Sequence, residues 1–247
     1  METSSNEKTY ALFSNPANRK IVAALAKNNA KIFEFAPVEF GKTDDEKNTE
    51  IIKNNLTEFD WIIFPDVVAV DYFLQILDEN QIDLFELDRM RVLAFGEAVA
   101  DRLRFVQLHA DIIPTTIESE TIFSNLLDYL GDEDLSRMRF LLPKEIKFET
   151  ELKHKLINSG ASVTEIAVYK AAISEKNNFA RLKALLAGGA IDEFIIASPE
   201  DLISLKHYLP DGNLSKQLKE IKISAVDEIS MQNLRENNLR PLFFQIK

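Results

Sequence analysis

Five short segments place polar side chains directly after apolar runs, where a strand gives way to a helix. They are Ser14-Asn15-Pro16, Pro65-Asp66-Val67, Phe95-Gly96-Glu97, Ala197-Ser198-Pro199 and Asp227-Glu228-Ile229-Ser230. Hydroxyls and free backbone N–H groups at such turns can bind an anion without a formal positive charge. Helix capping alone is the alternative interpretation for Ser14, Ser198 and Asp66. The recurrence of these turns in both halves of the chain favours a binding function.

The other reactive residue types form no catalytic or metal-binding pattern. The sequence has no cysteine, and its three histidines, His109, His154 and His207, are scattered among polar neighbours. It also lacks the glycine-rich phosphate-binding, zinc-peptidase and hydrolase nucleophile motifs. An enzyme built from this chain is therefore expected to work without a cofactor or a metal ion.

A segment that occurs twice organises these turns. Residues 61–77 and 91–103 are echoed by residues 194–209 and 222–234. Asp66 aligns with Ser198 and Val99 with Ser230, at nearly equal offsets of 132 and 131 residues. Each copy is predicted to form a strand, a helix, a second strand and a second helix. A duplicated domain is the simplest cause, and strand-to-helix turns of this kind build ligand sites in open α/β sheets.

The hydrophobic pattern alternates strands with helices along the whole chain. Predicted strands are 10–14, 31–35, 61–64, 91–95, 111–113, 139–142, 162–168, 193–197, 222–226 and 241–245. Predicted helices are 18–28, 45–56, 68–78, 98–108, 119–130, 149–158, 179–186, 200–208 and 228–237. This alternation, with strand cores too apolar for a sheet with one wet face, predicts parallel sheets covered on both sides.

Composition limits the class of protein and its partners. At 247 residues and 46% hydrophobic content, the chain is globular and long enough for two small domains. A net charge of −11 argues against nucleic-acid binding, which needs a basic surface. No uncharged run approaches 18 residues and the N-terminus has no apolar core of signal-peptide length. A cytoplasmic protein with no membrane association is expected.

Several blocks, in order and at consistent spacing, resemble the uroporphyrinogen-III synthase family over nearly the full chain. They are residues 10–40, Phe64-Pro65-Asp66 with Ala69-Val70, residues 91–103, Ile113-Pro114 with Ser119-Glu120, and residues 139–171 with Leu152, Leu156, Gly160, Val163 and Val168-Tyr169. The resemblance implies two flavodoxin-like α/β domains with a ligand cleft between them, joined by two crossing strands. The implied division is residues 1–37 plus 171–247 against 38–170, and the extended stretches 36–40 and 168–172 are the expected crossings.

Members of this family take the linear tetrapyrrole hydroxymethylbilane, invert its last pyrrole ring through a spirocyclic intermediate, lose water and close the macrocycle. The resemblance therefore implies a cofactor-free enzyme of porphyrin biosynthesis, a lyase, acting on a polycarboxylate. A monomer is expected.

The resemblance also implies roles for individual residues. Tyr169 occupies the family's tyrosine position and is expected to donate a proton to, or orient, the leaving hydroxyl. The residues expected to bind substrate are Ser14, Asn15, Asp66, Gly96, Val99, Lys144, Ser198 and Ser230. Of these, Ser14, Ser198 and Ser230 keep a hydroxyl. Asn15 stands where the family has arginine, Asp66 where it has serine and Val99 where it has threonine. Lys144 lies beside Pro143, where an arginine is common.

Two other functions stay open at this point. A degenerate homologue would use the cleft to bind another small molecule or a protein, and the changes at Asn15, Asp66, Val99 and Asp227 motivate it. An amino-acid or sugar sensor of the two-domain type is the third possibility.

Overall fold

The computed structural model describes residues 8–43, 45–210 and 214–245. Residues 1–7, on which part of the expectation about a signal peptide depends, lie outside these ranges. The strands are β1 Thr9–Phe13, β2 Lys31–Phe35, β3 Glu39–Lys42, β4 Trp61–Phe64, β5 Arg91–Ala94, β6 Arg139–Glu145, β7 Ser162–Ala172, β8 Glu193–Ile196, β9 Lys222–Ala225 and β10 Leu242–Phe243. The helices are α1 Arg19–Lys27, α2 Glu46–Asn55, α3 Val67–Glu79, α4 Glu97–Phe105, α5 Ser119–Leu130, α6 Glu151–Asn158, α7 Phe179–Ala187, α8 Pro199–Tyr208, α9 Leu214–Gln217 and α10 Glu228–Glu236.

The chain forms two compact units. Unit 1 consists of Met1–Glu39 with Ile173–Lys247, and unit 2 is Phe40–Ala172. The chain therefore leaves unit 1 in β3 and returns to it at the end of β7.

The sheet of unit 1 has the strand order β10-β9-β8-β1-β2, and its neighbouring strands run parallel. This is the flavodoxin-like order, in which the first strand of the unit lies between the second, here the edge strand β2, and the third, here β8. From β8 the chain moves outward to β9 and β10, whereas from β1 it moves outward to β2. The strand order thus reverses between β1 and β8, and the turns after these two strands flank the reversal.

The sheet of unit 2 has the order β3-β7-β6-β4-β5, and the pairs from β7 to β5 are parallel. Its strand order reverses between β4 and β6. The arrangement β5-β4-β6-β7 repeats β9-β8-β1-β2 of unit 1, so the two sequence copies occupy equivalent places in their sheets. The two sheets confirm the predicted α/β class with parallel strands.

Apolar side chains cover both faces of each sheet. In unit 1, Leu12 packs with α1 on one face, whereas its neighbour Phe13 packs against Tyr208 of α8 on the other. In unit 2, Ile63 belongs to a cluster built with α5 and α6, and Phe64 packs on Phe73 of α3. Successive strand residues point to opposite faces, so this double cover is why the strand cores are continuously apolar.

The structure differs from the predicted helices and strands in three main places. The short helix α9, Leu214–Gln217, was not predicted. β3 was not predicted, because Glu39–Lys42 has no apolar run and pairs on one side only, with β7. The predicted strand at 111–113 is reduced to a single parallel bridge between Leu93 and Ile112. Within the described ranges, none of the helices has the length and apolar character needed to cross a membrane.

The turn after α6 depends on a glycine. Gly160 has φ +91°, its N–H donates to the Ile157 carbonyl and the next N–H, of Ala161, donates to the Leu156 carbonyl. These two bonds close a Schellman motif, which needs the left-handed region at this position. A Cβ at Gly160 would lie 2.8 Å from the Cβ of Ser136.

Gly160→Ala is therefore expected to lower the free energy of unfolding by about 2–4 kcal/mol, from backbone strain plus the clash. Gly189→Ala is the matched control, since Gly189 also has positive φ but has no atom within 4 Å of the added Cβ. It is expected to lose only about 1 kcal/mol. Urea unfolding at equilibrium measures both, and equal losses would contradict the clash with Ser136.

Candidate active site at the carboxyl ends of the strands

The predicted site residues fall into two groups, one in each unit. Unit 1 places Ser14 and Asn15 after β1, Ser198 after β8 and Ser230 in the first turn of α10, after β9. Unit 2 places Asp66 after β4, Gly96 after β5, Val99 in the first turn of α4, Lys144 in β6 and Tyr169 in β7. Because the strands are parallel, the turns of each group lie at one edge of their own sheet.

Asn15 caps the 3₁₀ turn Pro16–Asn18, which leads into α1, and Ser198 caps α8. Asn15 Oδ1 accepts from the backbone N–H of Asn18 at 3.0 Å, and Ser198 Oγ accepts from that of Asp201 at 3.3 Å. The Nδ2 group of Asn15 also donates to Asp201 Oδ1 at 2.6 Å. Asn15 thus links the turn after β1 to the helix that follows β8.

Asp201 is the residue of this edge that the sequence interpretation missed. Its side chain is 1% exposed, and its Oδ2 accepts from the backbone N–H of Ala197 at 3.0 Å and from Asn18 Nδ2 at 3.4 Å. Burial raises the pKa of the Asp201 carboxyl to about 6, although the hydrogen bonds that it accepts act to lower it. The repeat contains a signal that could have drawn attention to Asp201. At the offset of 132 residues Asp201 aligns with Ala69, so only one copy has an acid at this position.

Ser14 lies at the rim of an open pocket in unit 1. Its side chain is exposed, and its hydroxyl donates to Glu34 Oε2 at 2.9 Å. The pocket has a volume of about 380 Å³ and its polar lining comes from Ser14, Asn15, Asn18, Arg19 and Glu34. It therefore combines a hydroxyl, an amide and a guanidinium with one carboxylate.

In unit 2, Tyr169 and Asp66 are joined directly. The Tyr169 hydroxyl donates to Asp66 Oδ2 at 2.8 Å, while Asp66 Oδ1 caps α3 by accepting from the backbone N–H of Ala69 at 2.7 Å. Asp66 is therefore a helix cap and also a partner of the tyrosine. Burial, followed by the charge of Asp66, raises the pKa of the Tyr169 phenol far above its usual range, so the phenol stays protonated.

Packing and a β-bulge fix the position of the Tyr169 ring. The register between β6 and β7 passes from Lys144↔Ala167 to Glu145↔Tyr169, which leaves one extra residue on β7. Bulges re-aim side chains in this way. The ring stacks on Tyr72 of α3, with centroids 5.8 Å apart, and Phe40 meets it edge-on at 5.6 Å. Tyr169 is only 1% exposed.

Lys144 is buried and its ammonium group is bound internally. It lies 3.3 Å from Glu165 Oε1 on β7 and 3.7 Å from Glu149, and it donates to the carbonyl of Phe148. Glu165 is in turn bonded by Lys153. In this structure Lys144 serves a salt-bridge network between β6, α6 and β7, so its role towards substrate stays a prediction.

The starts of α4 and α10 differ between the copies in side-chain chemistry. Gly96, with φ +89°, precedes α4, and Val99 is a buried apolar residue in its first turn. Asp227 caps α10 by accepting from the backbone N–H of Ser230 at 2.7 Å. The Ser230 hydroxyl is fully buried and has no hydrogen-bond partner within the described parts of the chain. Only the unit 1 copy thus keeps a hydroxyl at this position.

The described residues contain no group of three or more histidine, cysteine, aspartate or glutamate side chains able to hold a metal ion. The two edges carry carboxylates, amides, hydroxyls, a phenol, the guanidinium of Arg19 and the ammonium group of Lys144.

Two five-stranded, mainly parallel sheets, in a chain that leaves one unit and returns to it, define a two-domain α/β protein. The same fold occurs in crystal structures of uroporphyrinogen III synthase from Thermus thermophilus. A mutant form matches with a TM-score of 0.65 at 19% identity, covering 96% of this chain and 91% of that chain. The wild-type form matches with a TM-score of 0.64 at 20% identity and the same coverage.

The family model for uroporphyrinogen-III synthase HemD matches residues 19–244, which is nearly the whole chain. The chain therefore belongs to the uroporphyrinogen-III synthase family. This membership supports a role in tetrapyrrole biosynthesis, and the family acts on a tetrapyrrole substrate.

The raised pKa of Asp201 predicts a pH-dependent stability. A carboxyl group whose pKa is higher in the folded state favours folding when protonated, so its contribution is complete below about pH 4 and is lost as the pH rises through about 6. Relative to Asp201→Asn, the wild-type protein is expected to lose on the order of 3 kcal/mol of unfolding free energy between pH 4 and pH 7. Urea unfolding across this range measures it, and a constant difference would show that Asp201 has an ordinary pKa.

Proposed function

We propose that this chain is an active uroporphyrinogen-III synthase, which cyclises hydroxymethylbilane with inversion of the last pyrrole ring through a spirocyclic intermediate. The observation that carries the proposal is Tyr169, which stands at the family's tyrosine position with its hydroxyl fixed 2.8 Å from Asp66 Oδ2. The proposal includes a dehydrating lyase reaction and a cofactor-free, monomeric, cytoplasmic enzyme.

The reaction begins when the hydroxymethyl C–O bond breaks and the oxygen leaves with the electron pair, taking up a proton to form water. The cationic carbon that remains is attacked by the substituted carbon of the last pyrrole ring, which forms the spirocyclic intermediate. The bond between the spiro carbon and its original bridge carbon then breaks, and the bridge carbon bonds instead to the unsubstituted carbon on the other side of the pyrrole nitrogen. That carbon loses its proton, so the net change is the loss of one water molecule.

Tyr169 fits the orienting role better than that of proton donor. Its proton is already donated to Asp66, and its pKa lies far above the usual range of a phenol, so it is a poor acid. Its oxygen can still accept a hydrogen bond from the substrate's hydroxyl and fix the direction in which that group leaves. Such orientation alone accounts for a large part of the rate acceleration in many enzymes.

Asp66 has a second function in this proposal. A carboxylate next to the reacting carbon repels the substrate's own carboxylates but stabilises the cation that forms when water leaves. The repulsion weakens substrate binding, whereas the stabilisation of the cation lowers the energy of the transition state. Only the stabilisation raises the rate of the chemical step.

The starts of α3, α4, α8 and α10 supply donors for the carboxylates of the substrate. Backbone N–H groups in a first helical turn have no partner within the helix, and the helix dipole favours an anion there. Such donors suit a chain of net charge −11, because they are backbone groups and need no side-chain cation.

One observation favours the second candidate, a homologue that binds a different ligand. Asn15 and Lys144, at or beside positions where the family has arginine, are both committed to internal contacts. A binder of this type would retain the fold without cyclising the bilane.

The purified protein, given freshly made hydroxymethylbilane, is expected to yield the type III macrocycle as its main product. Separation of the isomers by chromatography measures this. If only the type I macrocycle of the spontaneous reaction forms, the proposed synthase activity is refuted and the binding candidate is favoured.

Tyr169→Phe is expected to lower kcat for the type III isomer by about 10- to 100-fold, because the substrate hydroxyl loses its orienting partner. Tyr72→Phe is the matched control. Tyr72 stacks on Tyr169 and its hydroxyl donates to the Phe40 carbonyl at 2.8 Å, so this variant removes a comparable hydrogen bond nearby. It is expected to keep kcat within about twofold, whereas equal losses in both variants would assign the effect to packing.

A further inference from the structure

The carboxylate of Asp201 joins two turns that are far apart in sequence. Its Oδ1 accepts from Asn15 Nδ2, and its Oδ2 accepts from Asn18 Nδ2 and from the backbone N–H of Ala197. The two asparagines lie 186 and 183 residues from Asp201, in the turn after β1. Ala197 lies in the turn after β8. The carboxylate therefore spans the point where the strand order of unit 1 reverses.

Helix capping does not account for this arrangement. Ser198 already caps α8 by accepting from the backbone N–H of Asp201. The Asp201 side chain points instead to the neighbouring turn, where it is 1% exposed and is met by neutral amide donors. A buried carboxylate is costly unless its oxygens are bonded, so the two turns must stay in register for the carboxylate to be satisfied.

The other copy of the repeat ties its turns in a different way. Ala69 occupies the position equivalent to Asp201, and the carboxylate lies three residues earlier, at Asp66, where Tyr169 donates to it. Each unit thus uses one carboxylate to hold a side chain that is distant in sequence, from β7 in unit 2 and from the turn after β1 in unit 1. In unit 2 the held group is the tyrosine of the proposed reaction, and in unit 1 it is Asn15.

We propose that Asp201 is a positioning residue, which fixes Asn15 and the turn after β1 so that the adjacent pocket binds a carboxylate group of the linear tetrapyrrole. The pocket of about 380 Å³ contains the Arg19 guanidinium, which is a donor for such a group. Ser14 and Glu34 lie in the same pocket, and in this structure the Ser14 hydroxyl donates to Glu34. This inference rests on the proposed function for the identity of the ligand but not for the hydrogen bonds.

The hydrogen-bond pattern suggests a test by exchange of the two side chains. Asp201→Asn replaces one accepting oxygen by an NH2 group, which places two donors face to face at either Asn15 or Ala197. Asn15→Asp places a second carboxylate against that of Asp201. The double variant, Asn15→Asp with Asp201→Asn, restores one donor and one acceptor, and a carboxylate at position 15 still caps the helix.

Two measurements on these variants decide the proposal. Amide hydrogen exchange over residues 14–19 is expected to accelerate by at least about tenfold in each single variant and to return to within about twofold of wild type in the double variant. KM for hydroxymethylbilane is expected to rise by about tenfold in each single variant, with a smaller change in kcat, and to recover in the double variant. Lys27→Gln removes an exposed charge from the last turn of α1, at the opposite end of that helix from Arg19, and serves as the unaffected control.

Each alternative outcome contradicts a different part of the proposal. Additive effects in the double variant, or unchanged exchange in Asp201→Asn, would show that the carboxylate does not hold the turn. Lower stability with KM unchanged would show a structural role only. If the wild-type protein forms only the type I macrocycle, the proposed function has failed. Amide hydrogen exchange in the two single variants and the double variant then still decides whether Asp201 fixes Asn15.

Discussion

The parallel order of the strands is the constraint on which the rest of this structure depends. Both sheets are covered on two faces, so polar groups are displaced to the strand ends, and parallel pairing brings the carboxyl ends of neighbouring strands together. At that edge, each unit has one point where the strand order reverses, flanked by β1 and β8 in unit 1 and by β4 and β6 in unit 2. Open α/β sheets bind ligands at such points. The same constraint therefore determines the fold and the edge at which we propose that the ligand binds.

At each reversal point a carboxylate accepts a hydrogen bond from a side chain that is distant in sequence. Asp66 accepts from Tyr169 on β7, and Asp201 accepts from Asn15 after β1. The two sequence copies thus place this carboxylate at different positions. In unit 2 it is the cap of α3, and in unit 1 it lies at the end of the first turn of α8. Negative groups at both edges weaken the attraction for a polycarboxylate. In the proposed reaction, Asp66 offsets this cost by stabilising the cation that develops, and backbone N–H donors at the helix starts offset it elsewhere.

Much of the fold follows from the sequence because its signals are local. The apolar runs of β4 and β8 and the caps at Asn15, Asp66 and Ser198 depend on residues within a few positions of one another. What the sequence did not predict depends on distant partners. β3 is recognisable only from its pairing with β7, the bulge that aims Tyr169 requires the register with β6, and the burial of Asp201 requires amides more than 180 residues away. Likewise, nothing near Lys144 in sequence shows that Glu165 on the next strand binds it.

The central proposal is that turns at the carboxyl edge of each sheet bind the tetrapyrrole. Its most direct test is amide hydrogen exchange with and without uroporphyrinogen III, the product, which unlike the bilane does not cyclise during the measurement. Slower exchange is expected at the first turns of α3, α4, α8 and α10 and at residues 14–19, with no change at the opposite ends of the strands. Protection confined to other surfaces, or none at a saturating product concentration, would contradict the proposal.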